Sequence, residues 1–155
     1  MESLLNASNP VFGAYAFYGA IVILKMFALA LMTSMKRGET GVFANTEDAQ
    51  FFYTGREKDK SKRVIFDNSK VERVRRNHLN DLENIPAFLV LGLIYVTIGP
   101  TLSTALWHFR IFVISRVLHM IVYQLQIPQP SRAIIFLFGL LVNISMAVQI
   151  IMFYK

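Results

Sequence analysis

Four long apolar segments dominate this sequence of 155 residues and limit what it can fold into. They occupy about residues 11–35, 71–98, 102–127 and 131–154. A helix that crosses a bilayer needs about 20 mostly apolar residues. Because lipid offers no hydrogen bonds to the backbone, each segment must satisfy its own peptide groups as a helix. The sequence therefore predicts an all-α membrane protein, a single domain over residues 1–155 built as a bundle of four transmembrane helices.

The composition supports this class and excludes some chemistry. Hydrophobic residues make up 54% of the chain and charged residues 17%, which is too little charge to cover a soluble domain. There is no cysteine, so a disulfide, a protein thiolate and a cysteine-based metal site are excluded. His108 and His119 are too far apart to share one helical turn. We therefore predict no metal site.

The basic residues are concentrated in one part of the chain. Eleven of the 16 lysines and arginines lie between residues 36 and 79. The positive-inside rule then places the loop of about residues 36–70 in the cytosol and both termini on the other side. The charged run 56–63 is interpreted as a solvated loop, with a lipid-binding patch as the alternative. The basic run 71–76 adjoins an apolar span, so nucleic acid is not predicted as a partner.

Polar residues inside the spans indicate a site, because charged side chains in a membrane usually face a bundle interior or a cavity. Arg73, Arg76, Asn80 and Glu83 recur at steps of three or four residues, which places them on one helix face. Arginine binds carboxylates in a bidentate manner, and a glutamate can bind an ammonium group. This stripe is therefore suited to a small ligand that carries both charges.

The third span carries a matching set of polar residues. Arg116, His119 and Tyr123 share one helix face, and Arg132 follows just after the next turn. Together with the first stripe, these residues predict a site for a small zwitterionic, peptide-like anion. The structural alternative is that Arg73 and Arg76 mark the cytosolic end of a helix while Glu83 pairs with Arg116. The sequence alone leaves both readings open.

Three motifs in this chain resemble one family. Residues 71–85 read VERVRRNHLNDLENI, residues 43–48 read FANTED, and residues 128–133 read PQPSRA. They resemble motifs of the membrane-associated proteins in eicosanoid and glutathione metabolism (MAPEG), and within that family the branch of type 1 microsomal glutathione transferases. The first motif is long and specific, and the other two support it.

The resemblance implies a homotrimer of four-helix protomers in the endoplasmic reticulum membrane, with the mitochondrial outer membrane as a second location. It implies that glutathione binds as the co-substrate between subunits, and that its thiolate attacks lipophilic electrophiles and reduces lipid hydroperoxides. Carried over to this sequence, the glutathione site comprises Arg37, Arg73, Arg76, Asn80, Glu83, His119, Tyr123 and Arg132. Of these, Arg132 would stabilise the thiolate and Tyr123 would assist, as the catalytic residues.

Departures from the family pattern bear on the alternatives. Ala49 stands where several members of the branch carry a cysteine. Ala133 stands where the prostaglandin E synthase branch has a serine after its catalytic arginine, which disfavours that isomerase as the alternative function. Pro86 lies one position before the proline that is usual in the family, so the bend near Glu83 is expected to differ slightly. A non-enzymatic lipid-binding scaffold, also known in this family, is a further alternative, and a channel is a weaker one.

Overall fold

The computed structural model describes residues 4–53 and 69–155. In this part of the chain the elements are α1 (Pro10–Thr40), α2 (Thr46–Tyr53), α3 (Ser69–Thr97), α4 (Leu102–Gln124) and α5 (Ser131–Tyr154). The four long helices α1, α3, α4 and α5 are each long and apolar enough to cross a membrane, as predicted. The charged run 56–63 lies outside the described residues.

The first helix has well-defined signals at both ends. The side chain of Asn9 accepts a hydrogen bond from the Val11 amide at 3.0 Å, and Pro10 occupies the first turn. At the other end Gly41 takes a left-handed conformation with φ 65°, and its amide donates to the Arg37 carbonyl. α1 thus continues about one turn beyond the predicted span end at residue 35, because polar residues remain helical outside the apolar layer.

Two other helix boundaries differ from the sequence interpretation. α4 ends at Gln124 and not at residue 127, since Gln126 takes a positive φ of 60° and Pro128 follows. α2 is a helix of eight residues inside the segment interpreted as a loop, with Glu47 and Asp48 in its first turn, where acidic residues favour the helix dipole. Eight residues are too few to show a helical period clearly, which is why the sequence did not predict α2. α3 continues through Pro86.

The four long helices form a closed bundle. α1 packs against α3 and α4, α5 packs against α3 and α4, and α3 also contacts α4 across the middle. α3 and α4 therefore each contact all the other long helices. Polar residues on their inner faces are consequently placed where three helices meet.

Aromatic and aliphatic side chains fill the centre of the bundle. The rings of Phe88 and Phe112 stack with centroids 4.0 Å apart, and Phe109 meets Phe88 edge to face. Gly92 lets α1 come close, because a Cβ there would lie 2.9 Å from Tyr15. The outer faces of the bundle also expose many large apolar side chains, such as those at Leu24, Phe27 and Ile114. This two-sided apolar pattern, together with the helix lengths, is that of a multi-pass membrane protein.

Candidate active site

A polar cavity of about 270 Å³, named the outer cavity, opens where the start of α3 meets the turn between α4 and α5. Its walls come from three helices. The residues that line it are Ser69, Glu72, Arg73, Arg76, Tyr123 and Arg132. The α3 arginines reach it because residues 73 and 76 share one face of that helix. Three guanidinium groups around one cavity form a site with a strong preference for anions.

A second cavity of about 290 Å³ adjoins the first and is named the inner cavity, because the buried side chain of His119 lines it. The residues that line it are Asn80, His119, Tyr123, Gln129, Arg132, Ala133 and Phe136. Tyr123 and Arg132 line both cavities, so one ligand could extend from the arginine-rich cavity into this less polar one. Part of each stripe predicted from the sequence therefore lines these adjoining cavities, namely Arg73, Arg76 and Asn80 of α3 and His119 and Tyr123 of α4.

Arg132 and Tyr123 contact each other at the boundary between the cavities. The Cζ atom of Arg132 lies 5.1 Å from the centroid of the Tyr123 ring, which is a cation–π distance. The buried Nε of Arg132 has no hydrogen-bond partner among residues 4–53 and 69–155. The Tyr123 ring thus orients the guanidinium, and the Nε donor remains available to a ligand as far as the described residues are concerned.

His119 lies deeper than Tyr123 on the same face of α4. Its side chain is buried, and its ring packs against those of Tyr123 and Phe136 at centroid distances of 5.7 and 6.5 Å. Its Nδ1 has no hydrogen-bond partner in the described part of the chain. His119 therefore contributes an aromatic wall and a polar edge to the inner cavity.

Glu72 reduces the positive charge of the outer cavity. Its carboxylate accepts two hydrogen bonds from Arg75, both at 2.8 Å, and lies 3.8 Å from the Nε of Arg76. Sequence reasoning did not select Glu72, although it lies one turn before Arg76 on the same face. An anion that enters the cavity would compete with Glu72 for Arg76, whose side chain is otherwise exposed.

Two predicted site residues lie outside both cavities. Arg37, at the end of α1, is close enough to Glu72 for their charges to interact, but it does not line the space. Glu83 is exposed on α3, about one turn beyond Asn80. The alternative in which Glu83 pairs with Arg116 is wrong. Arg116 instead hydrogen-bonds to the side chain of Asn80 and to the Phe136 carbonyl.

A buried ion pair that sequence reasoning missed joins α1 to α3. Lys25 of α1 donates to the carboxylate of Asp81 on α3, and both side chains are buried. Lys25 is the one charged residue of the first predicted span, residues 11–35, and the sequence indicates no partner for it. The sequence did contain a signal that Asp81 is buried. Asn77 and Asp81 continue the helical period of the apolar residues Val74 and Ile85, and this face of α3 is buried. Asp81 therefore belongs to the core face of the helix, next to the ligand face.

Within residues 4–53 and 69–155, histidine, aspartate and glutamate side chains form no cluster of three or more that could hold a metal ion. The polar groups around the two cavities are guanidinium, amide, imidazole, phenol and hydroxyl groups, with one carboxylate, that of Glu72.

Comparison with known proteins identifies the family. The MAPEG family model matches residues 15–152, which is most of the chain. The chain belongs to the MAPEG family. Among MAPEG proteins, it is 46% identical to microsomal glutathione S-transferase 1 of Sus scrofa over 143 residues, covering 92% of this chain and 90% of the relative. The Homo sapiens protein of the same name is 45% identical over the same coverage.

A second group of MAPEG relatives is less similar. Prostaglandin E synthase of Equus caballus is 34% identical over 149 residues, covering 96% of this chain and 93% of the relative. Both groups therefore match nearly the whole chain, and what separates them is the degree of identity. The lower identity to prostaglandin E synthase agrees with the presence of Ala133, and not a serine, directly after Arg132. Ala133 lines the inner cavity.

Proposed function

We propose that this MAPEG protein is a membrane-bound glutathione transferase. The observation that carries the proposal is the pair of adjoining cavities that share Arg132 and Tyr123. Glutathione has two carboxylates, one ammonium group and one thiol. Arg73 and Arg76 at the outer cavity suit the carboxylates, and the less polar inner cavity suits an apolar electrophile. The similarity to microsomal glutathione S-transferase 1 supports the same assignment.

The reaction needs a thiolate, and Arg132 is the group best suited to stabilise one. A fixed positive charge in a site of low dielectric lowers the pKa of a thiol that binds beside it. The proton leaves to solvent, the sulfur forms a bond to the electrophilic carbon, and the leaving group departs with its electron pair. Tyr123 assists by holding Arg132 through its ring and by donating a hydrogen bond from its hydroxyl.

The same thiolate would reduce lipid hydroperoxides, as a second activity. The sulfur attacks the terminal peroxide oxygen, the O–O bond breaks, and the alkoxide takes a proton to become an alcohol. A second glutathione then attacks the oxidised sulfur, giving the disulfide and water. The many apolar side chains on the outer faces of the helices support access for such substrates from the bilayer.

The proposed assembly is a homotrimer in which glutathione binds between neighbouring subunits. What supports it is the exposure of Arg76 and Glu83 on α3, since charged side chains within a span need a protein or aqueous surface opposite them. A neighbouring subunit would cover both residues, and Glu83 would then bind the glutathione ammonium. The proposed location is the endoplasmic reticulum membrane and also the mitochondrial outer membrane, with the basic loop in the cytosol. The mass of the detergent-solubilised protein tests the assembly, which predicts three chains per particle.

The activity is tested with the protein purified in detergent and supplied with glutathione. We expect conjugation of 1-chloro-2,4-dinitrobenzene and reduction of cumene hydroperoxide, each saturating with glutathione. Prostaglandin H in the same preparation tests the synthase alternative. Isomerisation of prostaglandin H without conjugation would contradict the proposal, and lipid binding with no turnover would favour a scaffold.

A further inference from the structure

The side chain of Arg116 is completely buried in a transmembrane helix, which is unusual for a charged residue. Its guanidinium lies between two aromatic rings, with its Cζ 5.7 Å from the centroid of Phe112 and 5.4 Å from that of Phe136. Burial of a charge is costly unless other groups compensate it. A position with this cost needs a structural or functional reason.

Charge compensation alone does not explain Arg116. Asp81 is close enough for its charge to interact with that of Arg116, but the Asp81 carboxylate already accepts from Lys25. Two cations and one anion give this group a net charge of +1 (1 + 1 − 1). A layer built only for stability would be neutral, so the surplus positive charge indicates a further role for the guanidinium.

The contacts of Arg116 connect it to the inner cavity. One of its terminal nitrogens, Nη1, donates to the Oδ1 of Asn80 at 3.3 Å, and the other, Nη2, donates to the Phe136 carbonyl at 3.4 Å. Asn80 and Phe136 both line the inner cavity, whereas Arg116 lies behind them. α5 approaches Arg116 closely, because a Cβ at Gly139 would lie 2.8 Å from its Nη2. Two neighbouring helices, α3 and α5, thus hold the guanidinium in place.

We propose that Arg116 is a positioning residue that fixes the side-chain amide of Asn80 for ligand binding. A guanidinium is only a donor, so it must face the amide oxygen and not the amide nitrogen. The two ends of the amide point in different directions. Asn80 therefore offers its Nδ2 hydrogens to the ligand, and the group that they bind is an acceptor, namely a carboxylate or peptide carbonyl oxygen of glutathione. This inference rests on the proposed function.

The first test is a double-mutant cycle on the dissociation constant of glutathione. Arg116→Lys keeps the buried charge beside Asp81 but removes the planar fork that reaches Asn80 and Phe136 together. We expect it to weaken glutathione binding by about three- to tenfold, which is the usual effect of losing one such hydrogen bond. In an Asn80→Ala background, the same change should have almost no further effect.

The matched control for this cycle is Arg110→Lys. Arg110 lies on the same helix, is exposed, and donates from its Nε to the Tyr18 hydroxyl at 3.0 Å, away from both cavities. We expect an unchanged dissociation constant for glutathione. If Arg116→Lys weakens binding equally in both backgrounds, its role is structural and the inference is overturned. If Asn80→Ala alone leaves binding unchanged, the proposed place of Asn80 in the site fails instead.

A second variant moves the guanidinium without changing its chemistry. Gly139→Ala introduces a methyl group 2.8 Å from both the Nη2 of Arg116 and the Oγ of Ser115, so these atoms must shift. We expect Gly139→Ala to weaken glutathione binding. In the Asn80→Ala background, the same substitution should have almost no further effect on binding. This variant carries the test if Arg116→Lys does not fold. Gly13→Ala is its control, because a Cβ there meets nothing within 4 Å. Unchanged binding in a folded Gly139→Ala protein would overturn the proposal.

Discussion

Two polar layers inside the bundle differ in how completely their groups satisfy one another. The charged layer consists of Lys25, Asn77, Asp81, Arg116 and His119, and the neutral layer consists of Tyr95, His108, Ser145 and Gln149. On α3, Asp81 and Tyr95 are separated by roughly 21 Å at 1.5 Å per residue. Both layers are buried or half-buried within the spans. Only the charged layer adjoins the proposed glutathione site.

The neutral layer forms a closed chain of hydrogen bonds. The Tyr95 hydroxyl donates to Gln149 at 2.9 Å, and the Gln149 amide donates to the Ser145 hydroxyl at 3.2 Å. His108 Nδ1 must donate to the Thr104 carbonyl at 2.8 Å, which leaves its Nε2 to accept from Ser145 at 2.9 Å. Donors and acceptors therefore match along the whole chain, as is expected of a structural network.

The charged layer retains unused hydrogen-bonding capacity. Within the described ranges, both amide atoms of Asn77, the Oδ1 of Asp81, the Nε of Arg116 and the Nδ1 of His119 have no protein partner. Unsatisfied buried polar groups are rare in native proteins and need a reason. The difference between the layers shows that polar residues inside a span do not by themselves indicate a ligand-binding site. A net charge, together with buried polar atoms that lack hydrogen-bond partners beside a cavity, is a more specific indication.

The largest effect is expected at the ion pair of the charged layer. Asp81→Asn removes the anion and leaves Lys25 and Arg116 as two buried cations, which should lower the free energy of unfolding by about 3–5 kcal/mol. Denaturation with SDS in mixed micelles measures this change. The double variant Lys25→Met/Asp81→Asn restores the net charge to +1 and should recover most of the loss. An Asp81→Asn protein as stable as wild type would show that this pair is not the support of the layer.

The next largest effect is expected on catalysis, at Arg132, which lines both cavities. Arg132→Leu should lower kcat for 1-chloro-2,4-dinitrobenzene by about 100- to 1000-fold, because the group that stabilises the thiolate is lost. The ultraviolet absorbance of the bound glutathione thiolate should disappear with it. Arg110→Leu is the matched control with the same loss of charge, and it should retain turnover. A thiolate that still forms at neutral pH in Arg132→Leu would assign this role to another group.

The smallest effect is expected in the neutral layer. Tyr95→Phe removes only the hydroxyl that donates to Gln149, and should lower the free energy of unfolding by about 1 kcal/mol. Glutathione affinity and kcat should stay at the wild-type values, since this layer is far from both cavities. The same SDS titration and transferase assay measure both quantities. A marked fall in kcat without a loss of stability would abolish the distinction between the two layers.

The sequence predicted the spans and six of the residues that line the two cavities, for simple physical reasons. A backbone in lipid must bond to itself, so runs of about 20 apolar residues can only be helices, and four such helices are present. The helical period placed Arg73, Arg76 and Asn80 on one face of α3, and His119 and Tyr123 on one face of α4. The structure brings all five to the cavities, together with Arg132.

Other features depend on how the helices are rotated against one another, which no period along a single helix specifies. Lys25 finds Asp81 only because α1 packs on α3 with those two faces together. Arg116 was a candidate partner for Glu83, but the packing of α4 against α3 turns it toward Asn80 and leaves Glu83 exposed. Hydropathy and periodicity thus determined which residues lie in the membrane and on which face of their helix. Only the tertiary packing decided which charges meet, because side-chain pairing depends on distances between helices.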